Sequence, residues 1–271
     1  MTTRVTLRDG YQLQVEDRGA GNAVLLVHGF MGSGAAWSEP VVEGLATRAR
    51  VLTVDLLGHG GSDRPHDSSR YTLAEMVRDL LEVLDAASVK RASLVGYSMG
   101  GRVALGVAVL QPDRVRRLVL ESASPGLRGE DEREARRRED ECRARKLLDG
   151  GLGPFVDWWD ARPVFAGGAR SPNGVGERLR AIHLANDAAA LAACLRGLGS
   201  GVQPSFWDHL RWLDRRTLLL TGAHDGKFTA IAGSMQAELP RARHVTVPDA
   251  GHRVHLERPE AWLDAVGPFV A

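Results

Sequence analysis

Short runs of mostly apolar residues recur along the chain and predict strands that are covered on both faces. They lie at Ala23–Val27, Val51–Val54, Ala92–Val95, Arg117–Leu120, Thr217–Gly222 and His244–Val247. Unbroken apolar runs of this length are typical of parallel strands with helices packed on both sides. They differ from the alternating pattern of a strand that has one face in water.

Helical patterns separate the runs of the first half. Thr72 is a candidate N-cap with Glu75 three positions later, and an apolar stripe follows. The stripe consists of Leu73, Met76, Val77, Leu80, Leu81 and Leu84. Strands alternating with helices predict βαβ units and a mostly parallel sheet, so the fold class is α/β.

The alternation stops after Glu121 and resumes at Thr217. Between them lie a stretch dense in both signs of charge, Arg128–Lys146, and then an aromatic-rich segment. We therefore expect residues 1–122 and 208–271 to form one α/β core. Residues 123–207 are expected to form a helical cap that is inserted before the last two strands and folds over the sheet.

Charge and composition narrow the classes of function. The chain has 271 residues with 35 Lys+Arg against 34 Asp+Glu, so it lacks the basic excess of a nucleic-acid platform. No apolar run approaches the ~18 residues that span a bilayer, and the first ten residues show no secretory signal. Cys142 and Cys194 are too few for a zinc ribbon or a disulfide framework. We expect a cytoplasmic protein without a metal and without nucleic-acid or membrane partners.

A G-x-S-x-G motif, Gly96–Gly100, follows an apolar strand and precedes a helical pattern. Small residues on both sides of Ser98 allow a sharp strand–turn–helix elbow, which presents a serine hydroxyl at the edge of the sheet. A turn with a capping serine is the alternative, but the strand before the motif and the helix after it favour a nucleophile elbow.

A serine in such an elbow needs a base, and the base needs an orienting acid. Asp225 follows the strand Thr217–Gly222, and His252 follows the next strand. The order Ser, Asp, His along the chain is the order expected for this architecture. Ser98, Asp225 and His252 are therefore the predicted catalytic triad.

The loop His28–Gly32 follows the strand Ala23–Val27 and predicts an oxyanion site. Its glycines allow the backbone N–H of Phe30 to point at the same place as the N–H of Met99. We interpret His28 as a structural residue that braces this loop.

The whole chain resembles the α/β-hydrolase fold with a helical cap, and four further motifs resemble one family in particular. They are Gly96-Tyr-Ser-Met-Gly-Gly-Arg102, Asp157-Trp-Trp-x-x-Arg-Pro-Val-Phe165, Gly222-x-x-Asp-x-Lys-Phe228 and Gly251-His-x-x-His-x-Glu-x-Pro259. Together they resemble the 2-succinyl-6-hydroxy-2,4-cyclohexadiene-1-carboxylate synthase (MenH) family. Ordinary esterases share the elbow and the triad, but they have no reason to share the cap motif or the arginine after the elbow.

The resemblance implies a lyase that needs no cofactor. Its substrate is a cyclohexene with several carboxylates, from which a ring proton is removed and pyruvate is expelled. Guanidinium groups bind carboxylates through paired hydrogen bonds. The resemblance assigns substrate binding to Arg102, Arg136, Tyr97 and Trp159, with Trp158 as the alternative aromatic contact. Some family members have a third arginine in the cap where this chain has His183, a weaker and pH-dependent anion ligand.

Two versions of the chemistry stay open. In the first, Ser98 removes the ring proton, His252 accepts the hydroxyl proton and Asp225 fixes the imidazole tautomer. In the second, His252 is the immediate base and Ser98 only donates a hydrogen bond.

Two other classes of function compete with a lyase. An ester or lactone hydrolase would use the same triad, but it gives no role to Arg102. A non-catalytic receptor for a small acid would have no need of an intact triad. The sequence contains no G-x-G-x-x-G after the first predicted strand, no P-loop and no H-E-x-x-H, and it implies no cofactor.

Overall fold

The computed structural model describes residues 1–165 and 174–271 and shows an eight-stranded sheet. The strands are β1 (Thr2–Thr6), β2 (Gln12–Gly19), β3 (Ala23–Val27), β4 (Arg50–Val54), β5 (Ala92–Tyr97), β6 (Val115–Glu121), β7 (Thr217–Gly222) and β8 (Ala242–Val247). Their order across the sheet is β1-β2-β4-β3-β5-β6-β7-β8. β2 pairs antiparallel with β1 and β4, and the pairs from β4 to β8 are parallel. The predicted α/β class and mostly parallel sheet are confirmed.

Helices cover both faces of this sheet. They are α1 (Glu39–Ala46), α2 (Leu73–Ala86), α3 (Met99–Leu110), α8 (Gly226–Glu238), α9 (Val254–Glu257) and α10 (Pro259–Val270). Along β3, Leu25 and Val27 pack with α2 and α3, whereas Val24 and Leu26 pack with α1 and α10. Successive side chains of a strand point to opposite faces, so a strand with helices on both sides is apolar at every position.

The six predicted strands are present, and β1 and β2 were not identified from the sequence. All but one position of β1 is exposed, and β2 alternates between buried and half-buried positions at its start. These strands form the antiparallel edge of the sheet, where one face meets water and no continuous apolar run is needed. Thr72 caps α2 as predicted, accepting a 3.3 Å hydrogen bond from the Glu75 amide.

The cap helices lie between β6 and β7 in the chain. They are α4 (Glu130–Gly150), α5 (Leu152–Asp160), α6 (Val175–Leu184) and α7 (Ala188–Leu198). α4, α5 and α7 share a small apolar core, which also contains Met31 from the loop after β3. Where the chain leaves and re-enters the sheet, the Phe206 amide donates to the Pro125 carbonyl at 2.7 Å. The division at residues 123 and 207 stays a prediction.

The described ranges, 1–165 and 174–271, contain no helix with the length and apolar character needed to cross a bilayer.

Candidate active site

Ser98 lies in the turn between β5 and α3, with a left-handed φ of 51° and a ψ of −110°. The neighbouring glycines explain how so sharp a turn fits. A Cβ on Gly96 would lie 2.5 Å from the Gly100 carbonyl oxygen, and one on Gly100 would lie 2.2 Å from the Val27 oxygen. The strained backbone is therefore held by close approach to β3, and the motif requires glycine because no side chain fits.

The structure brings Ser98, Asp225 and His252 together as the sequence predicts. His252 Nε2 lies 3.1 Å from Ser98 Oγ, and His252 Nδ1 lies 2.7 Å from Asp225 Oδ2. In the neutral tautomer that satisfies both contacts, Nδ1–H donates to the carboxylate and Nε2 accepts from the serine hydroxyl. Asp225 and His252 are only 5% and 3% exposed. This arrangement can move a proton from Ser98 to His252.

A second carboxylate, Glu257 in α9, fixes the backbone of the histidine loop. Its Oε2 accepts from the Gly251 amide at 2.6 Å, and its Oε1 accepts from the Arg253 amide at 3.2 Å. These bonds lie on both sides of His252. Glu257 is 1% exposed, so its hydrogen bonds face little competition from water. Its position was visible in the G-H-x-x-H-x-E motif, but this role was not predicted.

Aromatic rings surround the imidazole of His252. The ring centres of Phe228, Tyr97 and Phe165 lie 4.7, 5.4 and 5.7 Å from it. All three rings come from motifs on which the family resemblance rests: Tyr97 from the elbow, Phe228 from the motif around Asp225 and Phe165 from the cap. The rings keep the His252 imidazole largely out of bulk water.

The loop after β3 presents the Phe30 amide next to the elbow. Among the described residues, no group accepts a hydrogen bond from the amide of Phe30 or Met99. His28 braces this loop as predicted, because its Nδ1 lies 2.7 Å from the Gly29 oxygen and its Nε2 accepts from the Leu56 amide at 3.0 Å. Burial lowers the pKa of His28 to about 4, which keeps the ring neutral at neutral pH.

A cavity of about 610 Å³, including its opening to solvent, lies between Ser98 and the cap, and we call it the main cavity. Its lining residues include Phe30, Ser98, Met99, Arg102, Ser124, Arg136, Trp159, Cys194, Ser200 and Phe228. Three residues assigned to substrate binding, Arg102, Arg136 and Trp159, thus lie beside the triad serine. Trp158 is not part of this lining as described and instead packs against Phe155.

Two like charges face this cavity. Burial and the charge of the neighbouring Arg136 lower the pKa of Arg102 to about 10, so Arg102 is still protonated at neutral pH. Its Nη1 donates to the Leu198 carbonyl at 2.8 Å and to Gln203 Oε1 at 2.5 Å, both of which are neutral. Arg136 Nε donates to Asp140 Oδ1 at 2.9 Å, but Asp140 also accepts from Arg143. Glu139, whose Oε2 lies 3.8 Å from Arg136 Nε, also pairs with Arg143 and Arg162. Two carboxylates are therefore shared among several guanidinium groups, and an anion in the cavity would relieve the repulsion between these groups.

Most of the other arginines on α4 bind carboxylates on the cap surface. Arg133 and Arg137 pair with Glu130, Arg138 with Glu134, and Arg145 with Glu141. Among the described lining residues of the main cavity, α4 contributes one arginine, Arg136. This is the α4 arginine that the resemblance assigns to substrate binding.

The other two predicted substrate ligands lie in a second, smaller space on another side of Ser98, which we call the side cavity. It measures about 420 Å³ including its opening, and Tyr97, Ser98, His183 and Arg253 are among its lining residues. Tyr97 and His183 are thus near the triad but away from Arg102. Arg253 was not predicted from the sequence, because a residue next to a catalytic histidine can point in several directions.

Comparisons with known proteins identify the family. A model of the α/β-hydrolase fold matches residues 22–259. A relative from Bacillus subtilis (strain 168), whose name assigns it provisionally as a 2-succinyl-6-hydroxy-2,4-cyclohexadiene-1-carboxylate synthase, is 38% identical over 99% of this chain and 98% of its own length. A synthase of the same name from Escherichia coli O1:K1 is 35% identical over 91% of this chain and 93% of its own. This chain belongs to the 2-succinyl-6-hydroxy-2,4-cyclohexadiene-1-carboxylate synthase (MenH) family.

A solved MenH structure agrees with the sequence relatives. The structure of MenH from S. aureus matches with a TM-score of 0.89 and 29% identity, covering 94% of this chain and 97% of that one. The MenH family and the α/β-hydrolase fold predicted from the motifs are thereby confirmed. As a MenH-family enzyme the protein acts on a small molecule. Which residues bind that molecule stays a prediction, supported by the geometry of the two cavities.

Proposed function

We propose that the protein is a carbon–oxygen lyase of menaquinone biosynthesis. It eliminates pyruvate from 2-succinyl-5-enolpyruvyl-6-hydroxy-3-cyclohexene-1-carboxylate and yields 2-succinyl-6-hydroxy-2,4-cyclohexadiene-1-carboxylate. The observation that carries the proposal is the main cavity, where Ser98 of the triad faces Arg102 and Arg136. A substrate with several carboxylates suits Arg102, whose hydrogen bonds go to neutral groups, and Arg136, whose carboxylate partners are shared with other arginines.

The elimination is balanced without water or a redox partner. The proton on ring carbon 2 is acidic because it lies next to the succinyl ketone. When a base removes it, its electron pair forms the bond between carbons 2 and 3, and the old double bond moves to carbons 4 and 5. The bond from carbon 5 to oxygen breaks, and the departing enolpyruvate takes up a proton to become pyruvate.

The triad supplies the base in this proposal. Ser98 Oγ takes the ring proton while His252, 3.1 Å away, takes the hydroxyl proton. Asp225 holds the imidazole in the tautomer whose Nε2 can accept, and its charge stabilises the imidazolium that forms. The version in which His252 acts directly would use the same contacts with Ser98 as a hydrogen-bond donor.

The oxyanion site and the arginines have separate tasks. The amides of Phe30 and Met99 bind the ketone oxygen as it gains charge, an interaction worth roughly 10²–10³ in rate for each donor. Arg102 and Arg136 bind carboxylates in substrate and transition state alike, which lowers KM more than it raises kcat. Trp159 covers one wall of the cavity with its ring 5.3 Å from Phe30.

The test is to mix the purified protein with the enolpyruvyl cyclohexene substrate and measure released pyruvate. We expect release well above the spontaneous elimination, without added metal or nucleotide. The same preparation is assayed with p-nitrophenyl acetate, a neutral ester that suits the rival hydrolase. Efficient ester turnover together with no pyruvate above background would contradict the lyase and favour the hydrolase.

A cytoplasmic location and the absence of nucleic-acid, membrane or obligate protein partners remain predictions of the proposal. The substrate class is small, polar and anionic, which is consistent with an enzyme that works in water.

A further inference from the structure

The side cavity contains a buried guanidinium group, that of Arg253. The residue follows His252 directly and is 8% exposed. Its Nη2 lies 3.3 Å from Asp160 Oδ1, and its Cζ lies 4.0 Å from the centre of the Phe165 ring. Two cap residues therefore fix the position of an arginine that the core supplies.

The negative charge next to Arg253 is shared with a second partner. Asp160 lies 3.4 Å from His183 Nδ1 as well as 3.3 Å from Arg253. Burial alone would raise the pKa of Asp160, but hydrogen bonds and charge from His183 and Arg253 hold it below its usual value. Asp160 is thus ionised at neutral pH, and its one charge faces two groups that favour anions.

Among the described lining residues of the side cavity, the other polar groups add no negative charge at neutral pH. Burial raises the pKa of the Tyr97 phenol, and the nearby Arg253 opposes that rise only in part, so Tyr97 is neutral. His255 points away to the buried carboxylate of Glu121, at 2.7 Å. A carboxylate that enters the cavity meets the hydroxyl of Tyr97 and the guanidinium of Arg253.

We propose that Arg253, with Tyr97 and His183, binds the terminal carboxylate of the substrate's succinyl chain. The inference rests on the proposed lyase function and assigns the substrate's two ends to the two cavities. The side cavity has apolar walls that include Phe165, Leu179 and Leu256, which suit a slim aliphatic chain. The main cavity is larger and contains Arg102 and Arg136, which suits the ring with its remaining carboxylates.

The position of the substrate's ketone is compatible with the ring in the main cavity and the succinyl chain in the side cavity. Ser98, Phe30 and Trp159 line both cavities. With the ketone oxygen at the Phe30 and Met99 amides, the ring extends to one side of Ser98 and the succinyl chain to the other. This placement leaves carbon 2 of the ring near Ser98 Oγ.

Arg253 also offers a replacement for the cap arginine that the family resemblance implies and that this chain lacks at position 183. At the cap position where the resemblance implies an arginine in some family members, this chain has His183, which lies in the same cavity as Arg253. The guanidinium is thus supplied from the loop after His252 instead of from α6. If histidine were the only ligand, binding of the succinyl carboxylate would weaken as the imidazole loses its proton.

The test compares two inert ligands that differ only at the proposed contact. 2-Succinylbenzoate has the ring carboxylate and the succinyl carboxylate, and 2-butanoylbenzoate has a methyl group in place of the second. Titration calorimetry should show that the wild-type protein prefers the dicarboxylate by about tenfold to hundredfold, as a charge-assisted hydrogen-bond pair predicts. In Arg253→Gln this preference should fall to about threefold or less, and Arg253→Lys should keep part of it.

Two further variants distinguish a role of Arg253 in binding the ligand's carboxylate from a role in holding the cap against the core. Asp160→Asn removes the cap partner of Arg253 and should keep a clear preference for the dicarboxylate. Arg180→Gln removes a cap guanidinium that pairs with Asp157 outside both cavities, and it should bind both ligands like the wild type. If Arg253→Gln weakens both ligands equally, or keeps the full preference, the proposed contact is wrong.

The same ligands distinguish this inference from the lyase proposal. Pyruvate release by the wild type, together with an unchanged preference in Arg253→Gln, would overturn the anion site and leave the lyase standing. A preference that depends on Arg253, in a protein that releases no pyruvate, would overturn the lyase and leave the anion site standing. Circular dichroism of each variant checks that it is folded.

Discussion

The triad serine and the arginine cluster, Arg102 and Arg136, line the same cavity, yet different forces hold the triad and the arginines in place. Ser98, Asp225 and His252 follow three parallel strands, β5, β7 and β8, and a chain of short hydrogen bonds joins them. Arg102 and Arg136 come from a core helix and a cap helix, and burial together with the charge of Arg136 lowers the pKa of Arg102. The core thus positions the reacting groups through its backbone, whereas a core helix and a cap helix together form a positively charged surface that an anionic ligand would neutralise.

This difference predicts different sensitivities. The triad depends on backbone geometry, so a small steric change in the core should be costly. The arginine cluster consists of long side chains in a half-open cavity, so its loss should affect substrate binding more than folding. Substitutions in each region test this difference.

The largest expected effect comes from adding one methyl group to the elbow. In Gly100→Ala the new Cβ would lie 2.2 Å from the Val27 oxygen and 2.4 Å from the His28 oxygen, and both atoms are backbone. We expect a loss of about 3 kcal/mol or more in the free energy of unfolding. Urea denaturation followed by circular dichroism measures it.

Gly233→Ala is the matched control for that prediction. Gly233 lies in α8 and is exposed, and a Cβ added there would have no other atom within 4 Å beyond its own helix backbone and chain neighbours. Alanine should therefore stabilise the helix by up to about 1 kcal/mol. Equal stability of the two variants would contradict the view that close packing against β3 fixes the elbow.

Acid should weaken the loop on the core side of the site, whereas the arginines of the main cavity keep their charge at low pH because the pKa of Arg102 is about 10. Burial lowers the pKa of His28 from 6.5 to about 4, so the unfolded chain binds a proton that the folded protein excludes. The stabilisation is complete above pH 6.5 and is lost as the pH falls toward 4. Between pH 7 and pH 4.5 His28 should cost about 2–3 kcal/mol of unfolding free energy.

The variant His28→Gln isolates this contribution. Glutamine cannot take up the proton, so the unfolding free energy of the variant should change less between the two pH values. Other groups also titrate in this range, and only the difference between the two proteins reports on His28. Identical pH profiles would show that His28 is not the source of the acid sensitivity.

The core could be predicted from the sequence more completely than the cap. Ser98, Asp225 and His252 each follow an apolar strand, and parallel strands place such residues at one edge of the sheet. Chain order alone was then enough to assign them. β1 and β2 were not predicted because edge strands with one solvent-exposed face lack a continuous apolar run.

The cap residues depend on contacts that no local pattern describes. Arg136 differs from Arg133 and Arg137 only in the direction it faces on α4, and a helix with charges all around carries little periodic signal. Arg253 was missed because its position depends on Asp160, 93 residues away in the chain. The signal that could have found it is the acidic residue inside the cap motif, next to Trp159.

We expect core residues to carry out the chemistry and the arginines lining the main cavity to hold the substrate. Steady-state pyruvate release by Ser98→Ala and Arg102→Gln tests it most directly, with Ser234→Ala on exposed α8 as the control. We predict that Ser98→Ala lowers kcat by about 10³ with KM nearly unchanged, and that Arg102→Gln raises KM by about tenfold to hundredfold with a smaller change in kcat. Near-normal kcat in Ser98→Ala, or an unchanged KM in Arg102→Gln, would contradict the account.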